Sequence, residues 1–254
     1  MIGSVQRAID ILNLFDRHTP ELGVTEIARA LELPKSTVAG LVSTLEYNGF
    51  LDQNPSNRKY RLGAKLAERA SIFLAQFDLR EIAAPVLEAL RDTCNESINL
   101  AIRNDGYVVY IERMHGTKTL GMRSEIGKRE KIHSTALGKA MLSCLPQAEI
   151  NKFVSQYEFT PVTPQTITNP AAFLDEMHKT RQRGFALDDQ ENELGGRCVA
   201  APIINHLGEP IAAISISVPY QRLPDAEIST FGQRVMAAAQ EISRRLGASL
   251  EEDT

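Results

Sequence analysis

The sequence has few cysteines, no long apolar run and no excess of positive charge, and each shortage removes a class of protein. Its three cysteines, Cys94, Cys144 and Cys198, are widely spaced and form no CxxC pair. An odd count without a regular framework fits reduced thiols better than a disulfide scaffold. No segment approaches the roughly 20 consecutive apolar residues that a membrane helix requires. The opening residues MIGSVQRAID also lack the apolar centre of a secretory signal. These absences lead us to expect a cytoplasmic protein with no membrane partner. A net charge of −4 argues against a chain that coats nucleic acid indiscriminately. Also missing are HExxH, GxSxG, a Walker-type GxxxxGKS, internal repeats and low-complexity segments.

What is present is the composition of a globular protein, 43% apolar and 24% charged over 254 residues, enough for one large domain or two ordinary ones. Charge is uneven along it. Residues 1–65 hold 8 Lys+Arg against 7 Asp+Glu, and the remainder holds 20 against 25. A neutral-to-basic head on an acidic body permits local contact with DNA.

In residues 4–16, Val5, Ala8, Ile9, Ile11, Leu12 and Phe15 fall on one helical stripe. After Pro20 and Gly23, Thr25 is placed as the N-cap of a second helix carrying Ile27, Ala28 and Leu31. Leu33-Pro34 ends that helix. A third, over residues 35–48, repeats Val38, Leu41, Val42 and Leu45 and stops at Asn48-Gly49. Two short extended pieces, 50–51 and 60–62, flank a polar turn with Pro55 and suggest a small hairpin. Residues 64–77 read as a helix without a Gly or Pro break. Helices over 79–94, 134–145, 147–156, 170–183 and 224–246 then alternate with strands near 97–103, 107–113, 185–188, 198–204 and 210–218. Asn104-Asp105-Gly106 marks a hairpin between the first two strands. This is an α+β arrangement with a mostly antiparallel sheet.

Three helices and a hairpin suit a winged helix-turn-helix, in which the outer face of the third helix enters the major groove. A small oligomerisation or docking domain is the alternative reading of the same pattern. On the DNA reading, Lys35, Ser36, Thr37, Gly40 and Ser43 face outward on the third helix. Arg7, Arg58 and Lys59 then add phosphate contacts. In the strand near 210–218, Ile214, Ile216 and Val218 share one face and Ala213, Ser215 and Ser217 the other. The two hydroxyls mark either a solvated surface or the wall of a polar pocket. An enzymatic reading would pair Cys198 with His133, and a metal reading would gather Asp188, Asp189, Glu191 and His133. Neither set has a diagnostic spacing, so no catalytic residue, metal or cofactor is expected.

A set of short motifs decides between these readings. Ser4-Val5-Gln6-Arg7-Ala8, Glu26-Ile27-Ala28, Leu33-Pro34-Lys35-Ser36-Thr37-Val38, Thr44-Leu45-Glu46, Gly49-Phe50-Leu51 and Tyr60-Arg61-Leu62-Gly63 open it. Gly138-Lys139-Ala140, the run from Gly184 to Asp189, the run from Gly195 to Pro202 and Ala213-Ile214-Ser215-Ile216-Ser217 complete it. In order and spacing, the set resembles IclR-type transcriptional regulators over almost the whole chain. The resemblance implies a winged helix-turn-helix over residues 1–63, a linker helix over 64–78 and a GAF-like effector-binding domain over 79–250.

It also implies a homodimer or homotetramer that binds double-stranded operator DNA, usually as a repressor of catabolic genes, and responds to a metabolite. The alternative is a metabolite sensor whose head serves oligomerisation. By resemblance, Ser215 and Ser217 line the effector site with Asp188, Cys198, Ala136, Leu137 and Gly138, and Met122 and Ile132 form its apolar wall. Helix N–H groups beside two hydroxyls suit a small organic acid, an aromatic one included. The chain departs from the family at Gly40, where Arg is frequent, and so lacks the commonest reader of guanine.

Overall fold

The computed structural model describes residues 2–16, 19–75, 79–118 and 125–249, and the chain divides into two compact units, 1–77 and 78–254. In the first unit, helices α1 (Gly3–Asn13), α2 (Val24–Ala30) and α3 (Lys35–Tyr47) precede strands β1 (Leu51–Gln53) and β2 (Tyr60–Leu62), and α4 (Ala64–Ala75) follows. Their shared core is Ile11, Phe15, Ile27, Ala28, Val38, Val42, Leu51 and Tyr60. Burying each of the larger aliphatic side chains contributes roughly 1.5–3 kcal/mol. Leu41 and Leu45 pack against this core but stay half-buried.

The cap of α2 is Gly23, not Thr25. Glu26 sits at the third helical position, and its carboxylate accepts the Gly23 N–H at 2.7 Å, which fixes the helix start ahead of the threonine. Gly49, at φ +76°, takes the left-handed turn that ends α3. β1 and β2 pair antiparallel, and Leu22 adds a bridge to Tyr60 on the outer edge of β2. The start of α4 is tied to the same unit: the Gly63 N–H bonds the Phe50 carbonyl and the Lys65 N–H the Gly49 carbonyl.

The second unit runs α5 (Leu79–Cys94), β3 (Ser97–Asn104), β4 (Tyr107–Met114), β5 (Arg129–Lys131), α6 (Ala136–Ser143), α7 (Gln147–Gln156), α8 (Pro170–Arg183), β6 (Ala186–Asp189), β7 (Gly196–Ile204), β8 (Pro210–Pro219) and α9 (Asp225–Arg245). Its six strands stand in the order β5-β4-β3-β8-β7-β6, with every pairing antiparallel. One sheet face carries Ile98, Leu100, Val199, Ile214, Ile216 and Val218 into a core with α5 and α9. The opposite face carries Ala101, Ala186, Ala200 and Ala213 under α6, whose Leu137, Ala140 and Met141 join α7 and α8 in a second core. Alanines on this face let α6 lie close to the sheet. Gly138 lets α6 close on the turn before it, since a Cβ there would meet the Ile132 carbonyl oxygen and the Ile132 side chain.

Candidate functional site

Two places gather polar groups, one in solvent and one around a cleft. The first is the N-terminal end of α3. Lys35, Ser36, Ala39, Gly40 and Ser43 are exposed on it, and Thr37 is half-buried. None of the side chains of Lys35, Ser36 or Ser43 is engaged within the described residues, so they are available to a partner. Pro34 caps the helix without a side-chain bond, leaving its first amides open to an anion. Thr44, by contrast, turns its hydroxyl back onto the Gly40 carbonyl at 2.8 Å. Nothing lies within 4 Å of a Cβ built on Gly40, so internal packing gives no reason for a glycine there.

Arg7 lies exposed on α1, and Arg58 is exposed in the turn of the wing at φ +61°. Lys59 is committed differently: its ammonium pairs with Glu26 at 3.0 Å and ties the wing to α2. Glu21 accepts from Asn54 and Asn57 and fixes the other side of the same turn.

The second place is a cleft, partly open to solvent, on the α6 face of the six-stranded sheet. Its floor follows from strand register. Asp188 stands opposite Cys198, Cys198 opposite Ser217, and Ser217 opposite Ser97, so one lateral row of small polar residues crosses four strands. The next row on that face brings Ala200, Ser215 and Asn99 together. Asn99 Nδ2 donates to Ser215 Oγ at 3.2 Å and to Ser217 Oγ at 2.9 Å, and the Cys198 thiol donates to Ser217 Oγ at 3.1 Å.

Of the residues expected at the effector site, Ala136, Leu137, Asp188, Cys198, Ser215 and Ser217 line this cleft. Gly138 and Ile132 do not. The Gly138 N–H is taken by the Thr135 hydroxyl, which caps α6 at 3.1 Å, and the Ile132 side chain is fully buried beneath the helix. Met122 lies outside the described residues. The cleft also recruits Asn99, Tyr110, Lys128, Glu130, Thr135, Asn192, Glu193 and Gly196. Asn99 had a signal in the sequence, as the one polar residue inside the apolar run 98–102. Lys128 and Glu130 had none, since they reach the cleft through β5 and its flank. They form an ion pair of 2.5 Å at the rim of the cleft.

Burial controls the chemistry of the cleft. Loss of solvent pushes the Asp188 carboxyl up to about 7, against a weaker opposing pull from Lys139. Burial, with Asp188 beside it, pushes the Cys198 thiol far above its ordinary range, so it is no nucleophile at neutral pH. His133 is not its partner: the ring nitrogens face the Tyr157 hydroxyl and the Thr160 carbonyl, each at 3.1 Å. Burial lowers the His133 imidazole to about 4 and keeps it neutral. The acidic groups of the metal reading are likewise dispersed. Asp189 grips Arg197, and Glu191 forms an ion pair with the fully buried ammonium of Lys139.

A winged helix-turn-helix with an open recognition-helix N-terminus, in a chain that also carries an α+β unit, is an architecture of DNA-binding transcriptional regulators. Residues 4–55 match the IclR helix-turn-helix domain, and residues 72–244 match the bacterial transcriptional regulator IclR C-terminal domain. The chain belongs to the IclR family, whose members are regulators and not enzymes. It is 40% identical to the HTH-type transcriptional regulator XynR of Escherichia coli over 97% of this chain and 98% of that protein. It is 32% identical to the regulator KipR of Bacillus subtilis, over 96% and 97% of the two chains. The crystal structure of the Agobacterium tumefaciens repressor BlcR superposes with a TM-score of 0.79 at 28% identity, covering 97% of each chain.

Proposed function

We propose that this regulator is an effector-responsive repressor of catabolic genes and that its effector is a small organic acid bound in the cleft beside α6. The observation that carries the reading is the meeting of two amides with two hydroxyls. Ala136 and Leu137, the first two residues of α6, have N–H groups with no partner in the described chain, and both residues line the same cleft as Ser215 and Ser217. Both seryl oxygens already accept from Asn99, which leaves their hydroxyl hydrogens to donate. Four convergent donors at a helix N-terminus suit a carboxylate. Among the described residues, the apolar lining is Ala136, Leu137 and part of Tyr110.

On this reading residues 1–63 bind DNA, 64–78 link, and 79–250 sense. Lys35, Ser36, Thr37, Gly40 and Ser43 meet the major groove, with Arg7 and Arg58 on the backbone. Lys59 contributes there only by leaving Glu26. The protein acts as a homodimer or a dimer of dimers on paired half-sites. Ile2, which precedes α1, and Val5 and Ile9 on it are exposed and supply an apolar stripe for association of the heads. The same stripe also fits a head devoted to oligomerisation alone. An effector alters operator affinity only by the ratio of its affinities for the free and DNA-bound forms.

The test is binding of the purified protein to DNA upstream of its own and neighbouring genes, at two salt concentrations, with and without a panel of small organic acids. Salt-sensitive binding weakened by one acid is expected. Absence of DNA binding at low salt would favour the oligomerisation head, and indifference to every acid would remove the effector assignment.

A further inference from the structure

Tyr47 is the most exposed of the large hydrophobic side chains among the described residues, at 91%. Its phenol makes no hydrogen bond or ring contact within them. A single apolar side chain in solvent needs no explanation by itself. Tyr47 has one because of where the helix puts it. At about 100° per residue, Ser36, Gly40, Ser43 and Tyr47 fall within an arc of about 60° on α3. All four are exposed, and the buried Val38 and Val42 lie on the opposite side of the helix. Tyr47 therefore ends the stripe that α3 turns to the major groove.

That stripe is otherwise flat. Before Tyr47 it carries only two serines and a glycine, and a Cβ built on Gly40 would meet nothing within 4 Å. The polar neighbours are held back. The Thr44 hydroxyl donates to the Gly40 carbonyl at 2.8 Å, and Asn48 Nδ2 donates to the Thr44 carbonyl at 2.8 Å. Glu46, the only acid of α3, is half-buried and stands about 100° around the helix from Tyr47. No carboxylate on the stripe repels a phosphate. Long side chains in a helix point back toward its N-terminus, over the turn before their own Cα. Ser43 and Gly40 are too small to block Tyr47 from that direction.

We infer that Tyr47 is a specificity-determining residue that reads the methyl group of a thymine in the operator. The inference rests on the reading above, in which α3 lies in the major groove. The thymine methyl is the apolar feature that base edges present in that groove, and an aromatic ring gains by covering it. The bare backbone at Gly40 and the short serines let the helix sit deep enough for the ring to reach base edges. With no arginine at Gly40 to read guanine, an apolar reader moves the preference at that step toward thymine.

The experiment uses the full-length protein. Duplexes that it binds are selected from a randomised pool, and each thymine of the selected site is replaced in turn by uracil, which removes the methyl and keeps the base pairing. Affinity is measured for the native chain, Tyr47→Ala, Tyr47→Phe and Lys35→Ala at two salt concentrations. One replacement in each half-site is expected to weaken native binding about fourfold, the worth of one buried methyl. Tyr47→Ala should weaken binding to the thymine site at least as much, become indifferent to the replacement and keep the native salt slope, since no phosphate contact is lost. Tyr47→Phe retains the ring and should retain the native discrimination. Both variants alter an exposed side chain and should melt as the native chain does. Native indifference to every replacement, or a thymine preference that survives Tyr47→Ala, overturns the inference. So does a Tyr47→Phe that behaves like Tyr47→Ala, which would assign the hydroxyl to a phosphate. A changed oligomeric state of Tyr47→Ala in sedimentation would place the ring between copies of the chain and overturn it too. If Lys35→Ala still loses affinity and salt slope in these cases, Tyr47 alone leaves the interface. If Lys35→Ala is unaltered as well, or the native chain selects no duplex, the reading of α3 in the groove falls and the inference with it.

Discussion

In the first unit the groups proposed to meet DNA come mainly from one helix of 13 residues and one turn, and they stand in solvent with few partners. In the second unit the cleft draws on β3, β4, β5 and its flank, α6, β6 and the loop after it, β7 and β8, and most of its groups are buried and bonded to one another. A surface that must adapt to a long charged polymer can be built locally, because the partner supplies the enclosure. A site for a small molecule has to make its own enclosure and therefore needs distant segments. Damage should follow the same division, with loss of fold in the second unit and loss of affinity in the first.

The largest expected effect is at Lys139. Its ammonium is fully buried against Glu191, and the second oxygen of Glu191 is buried without a partner. Lys139→Ala leaves that carboxylate uncompensated and should lower stability by about 3–5 kcal/mol in denaturant unfolding. A drop below about 1 kcal/mol would show the pair to be dispensable. His133 comes next. Its folded value of about 4 lies below its ordinary 6.5, so the unfolded chain takes up the proton first as pH falls. Its contribution is complete above about 6.5 and is lost between there and about 4, up to about 3 kcal/mol. Asp188 titrates the other way over much of this range. The test is accordingly the difference between the native chain and His133→Gln, which should lose the acid-side slope.

The first unit should respond more mildly. Lys35→Ala is expected to weaken operator binding about tenfold and to reduce the salt slope by about one, with melting unchanged. An unaltered slope would remove Lys35 from the phosphate contacts. The smallest effect is at Gly40. Gly40→Ala meets open space and should stabilise the head by up to about 1 kcal/mol. It should also weaken DNA binding if the bare backbone approaches the duplex. Unchanged affinity would mean that the glycine has no role at the interface.

The same contrast governs what is legible in the sequence. The recognition helix is legible because helical period alone sorts Val38 and Val42 inward from Ser36, Gly40 and Ser43. The alternation of β8 likewise places Ser215 and Ser217 on one face, but it cannot say what faces them. Register pairs Asn99 with Ser215 across more than a hundred residues, and no local pattern encodes that. Strand β5 escapes because Arg129-Glu130-Lys131 is wholly charged, the composition by which an edge strand discourages further pairing. The family resemblance suggests Gly138 as a ligand contact, yet the Thr135 cap consumes its amide first.

The row of residues under the cleft has a kinetic meaning as well. β3 and β8, the central pair of the sheet, join segments that the chain separates by most of the second unit, so their union is among the costliest in loop entropy. A molecule resting on Asp188, Ser217 and Asn99 touches β6, β8 and β3 together and acts as a reversible staple across that seam. It exists only once the seam has closed, so it holds the finished sheet shut rather than hastening its assembly. The effector would then lengthen the lifetime of the folded sensor by slowing its unfolding, a protection that disappears with the metabolite.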